Sequence, residues 1–524
     1  MSNIPIYKQI DGVSRLLITF IVMTGTFMAI LDTTIVDVVI PKMMSPLKTD
    51  LYGVQWVITA YMAAAATGLL LIESLINVFG LKNLFLIGVA LFTTASAFCG
   101  VAQDLTQMII SRCAQGFGEA FIVATAQTIV FSIFPPEKKG IAMGIYGTGV
   151  SFAPAIGPTL GGYLTEYFNW RWVFYVNLPV GLLVVPLGML IIPKIFKHKG
   201  KLQFNFISYT LFAGFTIPLL IMLSKGQQKG WFQSSYIITL LFISAGSLIL
   251  FAISEIMSKL KLIDYKIFKI KEYSVAMIVY FLTLGFSIYQ IFYLLPLYYE
   301  NLKGYTTLQA GLHMLSFAIF ICITSIIAGI FSDKYGEKNV LLVNAIIYII
   351  TSVFLIPKLN YYTPSIKTII LTIPLGFALG SFFAPITTLA MRNLGDKTQL
   401  GVSLLQYIRF MGGSFGTALA TNTLQSKIAE HYEGISTMQN YFHISIYLHR
   451  IKQKLSILMT EPLAEIKSKI LLLKVQTLMS GSYAFQDTFR HAGYFGIFGL
   501  SFLILLFIPF RNNSSKKQNN LNQL

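Results

Sequence analysis

Long apolar runs separated by short polar segments dominate the chain. A run of roughly 18–25 apolar residues is long enough to cross a bilayer as a helix. A first group of such runs lies at 15–38, 54–79, 84–102, 107–132, 139–163 and 172–192. A second group lies at 206–223, 235–254, 273–297, 307–332, 339–357, 367–391, 400–424 and 490–510. The pattern therefore predicts an all-α membrane protein with about fourteen spanning helices.

A short sequence pattern occurs twice and suggests two related halves. "ESLINVFGLKN" at 73–83 and "GIFSDKYGEKN" at 329–339 each join one predicted helix to the next. Internal repeats of this kind are typical of transporters. We predict two six-helix bundles with two further helices inserted between them. The predicted boundaries are 1–192 for the first bundle, 193–270 for the inserted helices and linkers, 271–510 for the second bundle and 511–524 for a cytoplasmic tail.

The charged residues of the loops predict the orientation. An even number of spans puts both termini on one side of the membrane. Basic segments such as "KIFKHKGK" and "KLKLIDYKIFKIKE" fall on that side, and Lys and Arg are enriched in cytoplasmic loops. We therefore expect an N-in, C-in topology. The segment 425–489 then lies outside, is too long for a simple connection, and is expected to form helices of its own.

Composition excludes several classes of protein. The chain is 55% hydrophobic and 11% charged, whereas a soluble domain carries about 25% charged residues. Its net charge of +18 is explained by loop lysines, so we expect no nucleic-acid partner. The cysteines show no metal-ligand spacing, no Walker loop occurs, and the spans hold no paired Asp-Asp or Ser-His. We expect no metal, no cofactor and no enzymatic activity, and ion-gradient coupling remains as an energy source.

Few acidic residues fall within the predicted spans, and they lie in the first bundle. These residues are Asp32, Asp37, Glu73 and Glu119. A charged side chain at the bilayer centre costs at least about 2.5–3.5 kcal/mol, so it is expected to face protein or a water-filled cavity. A carboxyl group in a low-dielectric cavity has a raised pKa, which lets it exchange a proton near neutral pH. The first bundle is thus the predicted site of proton chemistry.

The stretch "SRCAQGFGEAFIV" at 111–123 places Arg112, Gln115 and Glu119 on one face of a helix. Arg112 and Glu119 are separated by about 10 Å along this face, too far to pair directly. Asp32 is the preferred central acid, and Glu119 is expected near the midplane; each has the alternative of a structural contact between helices.

Two further charged residues each have two possible roles. Asp37 lies near the outer end of its helix and either takes part in proton coupling or is a solvated entrance residue. Arg112 either lowers the pKa of a nearby carboxyl group or bonds backbone carbonyl groups.

The fifth predicted helix carries small residues at steps of four. They allow close approach of another helix, and two prolines on the neighbouring face add kinks. Such a helix is suited to sealing the two halves together while they rock. The small residues are Gly149, Ala153, Gly157 and Gly161, and the prolines are Pro154 and Pro158.

Several motifs together resemble one family, the fourteen-helix drug/proton antiporters of the major facilitator superfamily (EmrB/QacA type, nearest to EmrB-like members). The resemblance covers nearly the whole chain. The motifs are "LDTTIVDVVIP" (31–41), "RCAQGFGEA" (112–120), "GTGVSFAPAIGPTLGGYL" (147–164), "NWRWVFYVNLPVG" (169–181), "LPLYYE" (295–300) and "RFMGGSFGTA" (409–418).

This resemblance implies a proton-coupled exporter of amphipathic, often cationic compounds that works by alternating access. It links Arg112 to proton transfer and adds Asp333 and Arg409 to the conformational motifs. The expected substrate contacts are Asp32, Gln115 and Glu119 with the aromatic residues Tyr61, Phe117 and Tyr289. A dedicated metabolite or siderophore transporter on the same fold, or a non-transporting receptor or adaptor, is the alternative.

The same resemblance implies a location and partners. Proteins of this type lie in the bacterial cytoplasmic (inner) membrane, where the expected partners are protons, small amphipathic substrates and the lipid bilayer. EmrB-like carriers also work with a periplasmic adaptor, an EmrA-like membrane fusion protein, that leads to an outer-membrane channel. The segment 425–489 is expected either to dock such an adaptor or to form a lid over the exit side.

Overall fold

A computed structural model describes residues 5–194, 204–438, 442–457 and 459–508, and the regular elements in these ranges are helices. The N-terminal half, α1 to α9, precedes the inserted helices α10 and α11. Its helices are α1 (Gly12–Met43), α2 (Leu51–Val54), α3 (Trp56–Leu69), α4 (Ile72–Phe79), α5 (Leu81–Val101), α6 (Leu105–Ile133), α7 (Lys139–Tyr167), α8 (Trp172–Tyr175) and α9 (Asn177–Ile191). The inserted helices are α10 (Phe206–Lys229) and α11 (Ser235–Met257).

The C-terminal half follows from Lys271 and contains π-helical turns within two of its spans. Its helices are α12 (Lys271–Val279), α13 (Tyr289–Leu297), α14 (Thr307–Tyr335), α15 (Glu337–Ile349), α16 (Ser365–Met391), α17 (Thr398–Met438), α18 (Phe442–Ser456) and α19 (Glu461–Ser501). The π-helical segments are Tyr280–Ile288, Tyr298–Leu302 and Ile350–Leu355.

Most predicted spans are present as long helices, with one correction. Within the described ranges, eleven helices are long and apolar enough to cross a membrane, or twelve if one bent pair is a single span. That pair is α3 and α4, which are bent by 62° at Leu70–Leu71, so the predicted span 54–79 is broken rather than continuous. The helices α7 and α17 are not among these eleven because their mean hydropathy is lower. The total of fourteen spans therefore stays a prediction.

The two copies of the repeated pattern have the same structure. Gly80 and Gly336 each adopt a positive φ, 77° and 85°, and each begins a new helix. Glycine adopts this conformation without the steric cost of a Cβ. Two residues later, Lys82 donates to the carbonyls of Met189 and Ile192, at the end of α9. Lys338 likewise donates to the carbonyl oxygen of Leu506, near the end of the last span. The two halves therefore share the same local structure at this loop.

The inserted segment is attached to the C-terminal half near the side of the membrane at which α1 begins, here called the N-terminal side. Thr216 of α10 shares a 2.8 Å hydrogen bond with Tyr407 of α17. In the connection after α11, Asp264 pairs with Lys397 at 2.5 Å. The hydrogen bond from the Lys397 ammonium lowers the pKa of the Asp264 carboxyl group. These contacts join the inserted pair to the C-terminal half, and a 2.8 Å hydrogen bond between Ser224 of α10 and Thr59 of α3 joins it to the N-terminal half as well.

The segment 425–489 extends the membrane helices instead of forming a separate domain. With 41 residues each, α17 and α19 are about 60 Å long, roughly twice the hydrocarbon thickness. The additional helix α18 joins them, and His431 bonds Asp487 at 2.8 Å across the pair. The expectation of helices of its own is thus met by α18, while the rest of the segment continues two spans. We call the segment 425–489 the outer hairpin.

The two halves meet along α7 and α14. A Cβ atom on Gly140 would lie 2.3 Å from the carbonyl oxygen of Gly329, and one on Gly144 would lie 2.6 Å from that of Ser325. Such contacts exclude any side chain larger than hydrogen at these positions without a shift of the backbone. The closest packing between the halves therefore depends on glycines of α7.

Candidate functional site

Asp32, the predicted central acid, lies in α1 and is completely buried. Its Oδ2 is 2.5 Å from Nη1 of Arg112 in α6. Its Oδ1 accepts hydrogen bonds of 2.8 Å from the side-chain amides of Gln115 and Asn177. Helices α1, α6 and α9 thus each contribute to one polar cluster, in which both carboxylate oxygens are bound.

Arg112 bonds both a backbone carbonyl group and a carboxylate. Its Nε donates to the carbonyl oxygen of Val57 at 3.2 Å, while Nη1 binds both Asp32 and the Oε1 of Gln115. The guanidinium also lies over the ring of Tyr61, 4.0 Å from the centroid, which adds a cation–π contact. The cationic charge is therefore compensated in an interior from which it has no access to water.

Glu119, on the same face of α6, has a different environment. It is 1% exposed, and its Oε1 is 4.0 Å from Nη2 of Arg409 in α17. Its Oε2 and the Nε of Arg409 make no hydrogen bond among the described residues. Tyr61 faces Glu119 and is 3.5 Å from the Ala29 carbonyl oxygen. Both carboxylate oxygens of Asp32 thus accept hydrogen bonds, whereas Glu119 lies in an ion pair whose hydrogen bonding is incomplete.

Asp37 lies near the far end of α1 and is exposed. It is nevertheless within electrostatic reach of Asp32 and Arg112 in its own half and of Tyr293 in the C-terminal half. Its exposure is therefore toward the region between the halves and away from the lipid. This position is compatible with both roles proposed for Asp37 from the sequence.

The predicted aromatic residues occupy different surroundings. Tyr61 is 1% exposed and belongs to the buried site. Tyr289 packs on Gly413 and lies within electrostatic reach of Arg409. Phe117 instead packs toward Gly68 of α3, away from the polar face of α6. A substrate contact by Phe117 therefore has less support than one by Tyr289, and both stay predictions.

The small-residue stripe predicted on α7 lies mainly against its own half, which corrects its proposed partner. A Cβ atom on Gly157 would lie 2.1 Å from Oγ1 of Thr34, and one on Gly149 would lie 2.3 Å from the Met23 side chain, both in α1. The glycines that approach α14, such as Gly144 and Gly162, lie on a different face of the helix. The spacing of small residues by four predicted a close helix contact, but it did not predict which helix makes that contact. Of the remaining members of the motif, Pro154 is partly exposed, and Pro158 and Gly161 are buried.

Asp333 closes the N-terminal side between the halves. Its two carboxylate oxygens accept hydrogen bonds from the backbone N–H groups of Gly140, at 2.7 Å, and Ile141, at 2.9 Å. These N–H groups belong to the first turn of α7, where backbone donors have no partner within the helix and the dipole favours an anion. Asp333 of the C-terminal half therefore caps a helix of the N-terminal half.

Sequence analysis missed three buried polar contacts made by amides and a hydroxyl. Asn177 and Ser96 complete the Asp32 cluster; Ser96 Oγ accepts from Gln115 at 2.8 Å. Gln406 of α17 donates to Gln127 of α6 at 2.6 Å, a further hydrogen bond between the halves on the N-terminal side. The available signal was a polar amide within an apolar span, which is costly unless it is bonded.

Comparison with known proteins places this arrangement in a family. A model described as Major Facilitator Superfamily matches residues 22–417. The chain is 29% identical over 442 residues to the multidrug export protein EmrB of Haemophilus influenzae, covering 83% of this chain and 86% of that protein. It is 29% identical over 443 residues to the riboflavin transporter RibZ of Clostridioides difficile, covering 81% and 93%.

A solved structure shares the fold. The proton:xylose symporter XylE aligns over 95% of this chain and 97% of its own, with a TM-score of 0.58 and 12% sequence identity. At this identity the likeness concerns the fold alone. The match of the family model over most of the chain, the membrane-spanning helices and the common fold exclude an enzyme and indicate a multi-pass membrane transporter. The chain belongs to the Major Facilitator Superfamily, with EmrB-type multidrug exporters among its relatives.

Proposed function

We propose that this transporter exports amphipathic, often cationic organic compounds in exchange for protons. The observation that carries the proposal is the pair of buried carboxylates, Asp32 and Glu119, in neighbouring helices of one half. Asp32 is held by Arg112, whereas Glu119 has an oxygen free of hydrogen bonds among the described residues. A buried carboxylate attracts a cation, and its protonation removes that attraction, which is the competition that exchange requires.

The contacts between the halves show which side of the carrier is closed. On the N-terminal side, Asp333 and the Gln127–Gln406 pair join the halves, while Asp37, toward the opposite side, is exposed. With the N-terminus in the cytoplasm, as the loop charges indicate, this is a state closed to the cytoplasm. Protons entering from outside would then reach Asp37 before Asp32 and Glu119.

Everted membrane vesicles test the proposal. Ethidium added to energised vesicles should be accumulated in the lumen, and its addition should release protons from the lumen. Vesicles with the Asp32→Asn or Glu119→Gln variant should show neither effect at equal protein level. Ethidium accumulation that persists after the pH gradient is collapsed, with the membrane potential held constant, would contradict proton exchange.

A dedicated metabolite exporter is the second candidate, because a relative of equal identity is named a riboflavin transporter. The same vesicles distinguish the two functions. Proton release on adding riboflavin, but not on adding ethidium or other cationic dyes, would favour a dedicated carrier. Absence of any solute-dependent proton movement would favour the receptor or adaptor alternative.

The outer hairpin is the proposed docking surface for a periplasmic adaptor of the membrane fusion type. On α19, Leu463, Ile466, Ile470 and Leu473 are 44–57% exposed. Their spacing places them along one face of the helix. This segment lies beyond the length that a bilayer covers, so an adaptor helix is a suitable occupant. A lid over the exit side remains the competing role, and both assume the bacterial inner membrane.

A further inference from the structure

The pair formed by Glu119 and Arg409 joins the two halves near the middle of the membrane. Glu119 is the fifteenth residue of α6, which has 29 residues, and Arg409 lies in the part of α17 that precedes the outer hairpin. Both side chains are at most 5% exposed, and their charged atoms are 4.0 Å apart. A pair in this position changes its geometry whenever the halves rock.

The hydrogen bonding of this pair is incomplete, in contrast to the Asp32 cluster. Among the described residues, Oε2 of Glu119 and Nε of Arg409 have no hydrogen-bond partner, while both oxygens of Asp32 are bound. A buried polar atom without a partner costs free energy comparable to a lost hydrogen bond. In this pair, such atoms are available to bind a proton or a ligand.

The charged and titratable groups that act on the pair come from several helices of both halves. Around Glu119 these are Tyr61 of α3, Asp32 of α1 and Arg112 of α6; around Arg409 they are Tyr146 of α7, Tyr280 in the π-helical segment before α13, and Tyr289 of α13. Asp32 and Arg112 already neutralise each other. Arg409 is thus the one cation among these groups that balances ionised Glu119.

We propose that the Glu119–Arg409 ion pair holds the empty carrier closed on the N-terminal side, and that a proton and a cationic substrate each release it by binding Glu119. This inference rests on the proposed exchange function and adds Arg409 as a positioning residue. A proton neutralises the carboxylate and removes its attraction for the guanidinium. A substrate cation takes the place of the guanidinium on the same carboxylate.

This competition explains why loading and movement are linked. An exchanger has to change state readily when a cargo is bound and rarely when it is empty, because an empty carrier that cycles freely dissipates the gradient. A contact between the halves that either cargo disrupts gives this behaviour, since a cargo shifts an equilibrium only through its different affinity for the two states. The pair also restricts substrates to cations that can displace a guanidinium.

Distances between spin labels test the proposal without measuring transport. Labels at positions 138 and 334, both exposed on the N-terminal side, report whether that side is closed; the three native cysteines are replaced for this purpose. In the absence of substrate at about pH 8, where a carboxylate is normally ionised, the parent protein should be mainly closed. Arg409→Gln and Glu119→Gln should each raise the ratio of open to closed protein about tenfold.

The response to each cargo completes the test. Lowering the pH to about 5, or adding ethidium, should open the parent protein, whereas Glu119→Gln should respond to neither. Arg409→Lys should restore the closed population, and Lys397→Gln, which removes an ion pair that does not join the halves, should leave it unchanged. Closed populations equal to the parent in both Gln variants, with unchanged thermal unfolding, would overturn the proposal. Loss of solute-dependent proton movement in the parent would instead refute the proposed function.

Discussion

At the scale of single residues, Asp32 and Arg112 form a pair in which each charge depends on the other. Both are at most 1% exposed, and an unpaired charge left in such a place is destabilising by about 3–5 kcal/mol. Asp32→Asn should therefore lower thermal stability in detergent as well as abolish proton-coupled efflux. The double variant Asp32→Asn with Arg112→Gln should regain most of the lost stability but not the efflux, as measured by thermal unfolding and vesicle transport. A double variant less stable than the single one would contradict the pairing.

Asn177 supplies a second test at the same scale. Asn177→Ala removes the 2.8 Å hydrogen bond to Asp32 Oδ1 and should destabilise the protein by about 1–3 kcal/mol, the cost of an unsatisfied buried partner. Thermal unfolding measures the change. Asn339→Ala, at an exposed position that bonds only a local carbonyl, is the matched control and should have little effect. Equal unfolding temperatures for the two variants would show that the Asn177–Asp32 hydrogen bond does not contribute to stability.

At the scale of helices, α7 uses different glycines for different neighbours. Gly144→Leu should prevent close packing on α14 of the other half, whereas Gly157→Leu should disturb α1 within the same half. We expect both variants to lose transport, but only Gly144→Leu to open the N-terminal side in the spin-label measurement. Gly246→Ala, with no atom within 4 Å of the added carbon, should remain active. A closed N-terminal side in Gly144→Leu would show that this contact is not needed for closure.

The cap that Asp333 places on α7 gives a prediction about one helix end. Asp333→Asn keeps the shape but removes the charge that two backbone N–H groups bind. Hydrogen bonds to charged groups contribute about 1.5–3 kcal/mol, so the closed state should lose a large part of its population in the spin-label measurement. Asp396→Asn, at an exposed position on the same side, is the control. A closed population unaffected by Asp333→Asn would mean that the cap does not support closure.

At the scale of the whole molecule, removal of the outer hairpin tests whether it docks an adaptor or forms a lid. Replacing 430–485 by a short flexible linker removes the exposed apolar face of α19 and also the His431–Asp487 contact. If the hairpin docks an adaptor, transport in everted vesicles should persist while resistance of whole cells is lost. Loss of transport in the vesicles themselves would favour the lid. Immunoblotting of membranes controls for the amount of protein.

Much of this fold follows from the sequence because burial in a membrane is a local property. Runs of apolar residues defined nearly every long helix, and the repeated Gly-x-Lys-Asn pattern identified two loops that prove to have the same geometry. The face of α6 that carries Arg112, Gln115 and Glu119 also follows from the helical period alone. These features depend on residues within a few turns of one another.

Tertiary structure alone decided which groups meet. Helical period places Arg112 on a face, but its partner Asp32 is 80 positions away, and Gln127 and Gln406 are 279 apart. The sequence treated Arg409 as part of a conformational motif, whereas packing of α17 on α6 sets it beside Glu119. Likewise, steps of four predicted that glycines of α7 approach another helix, and only the packed halves show which helix. The sequence by itself thus determined the spans and the polar faces, because they depend on local periodicity; the pairing of charges required the tertiary structure, because it depends on how distant helices cross.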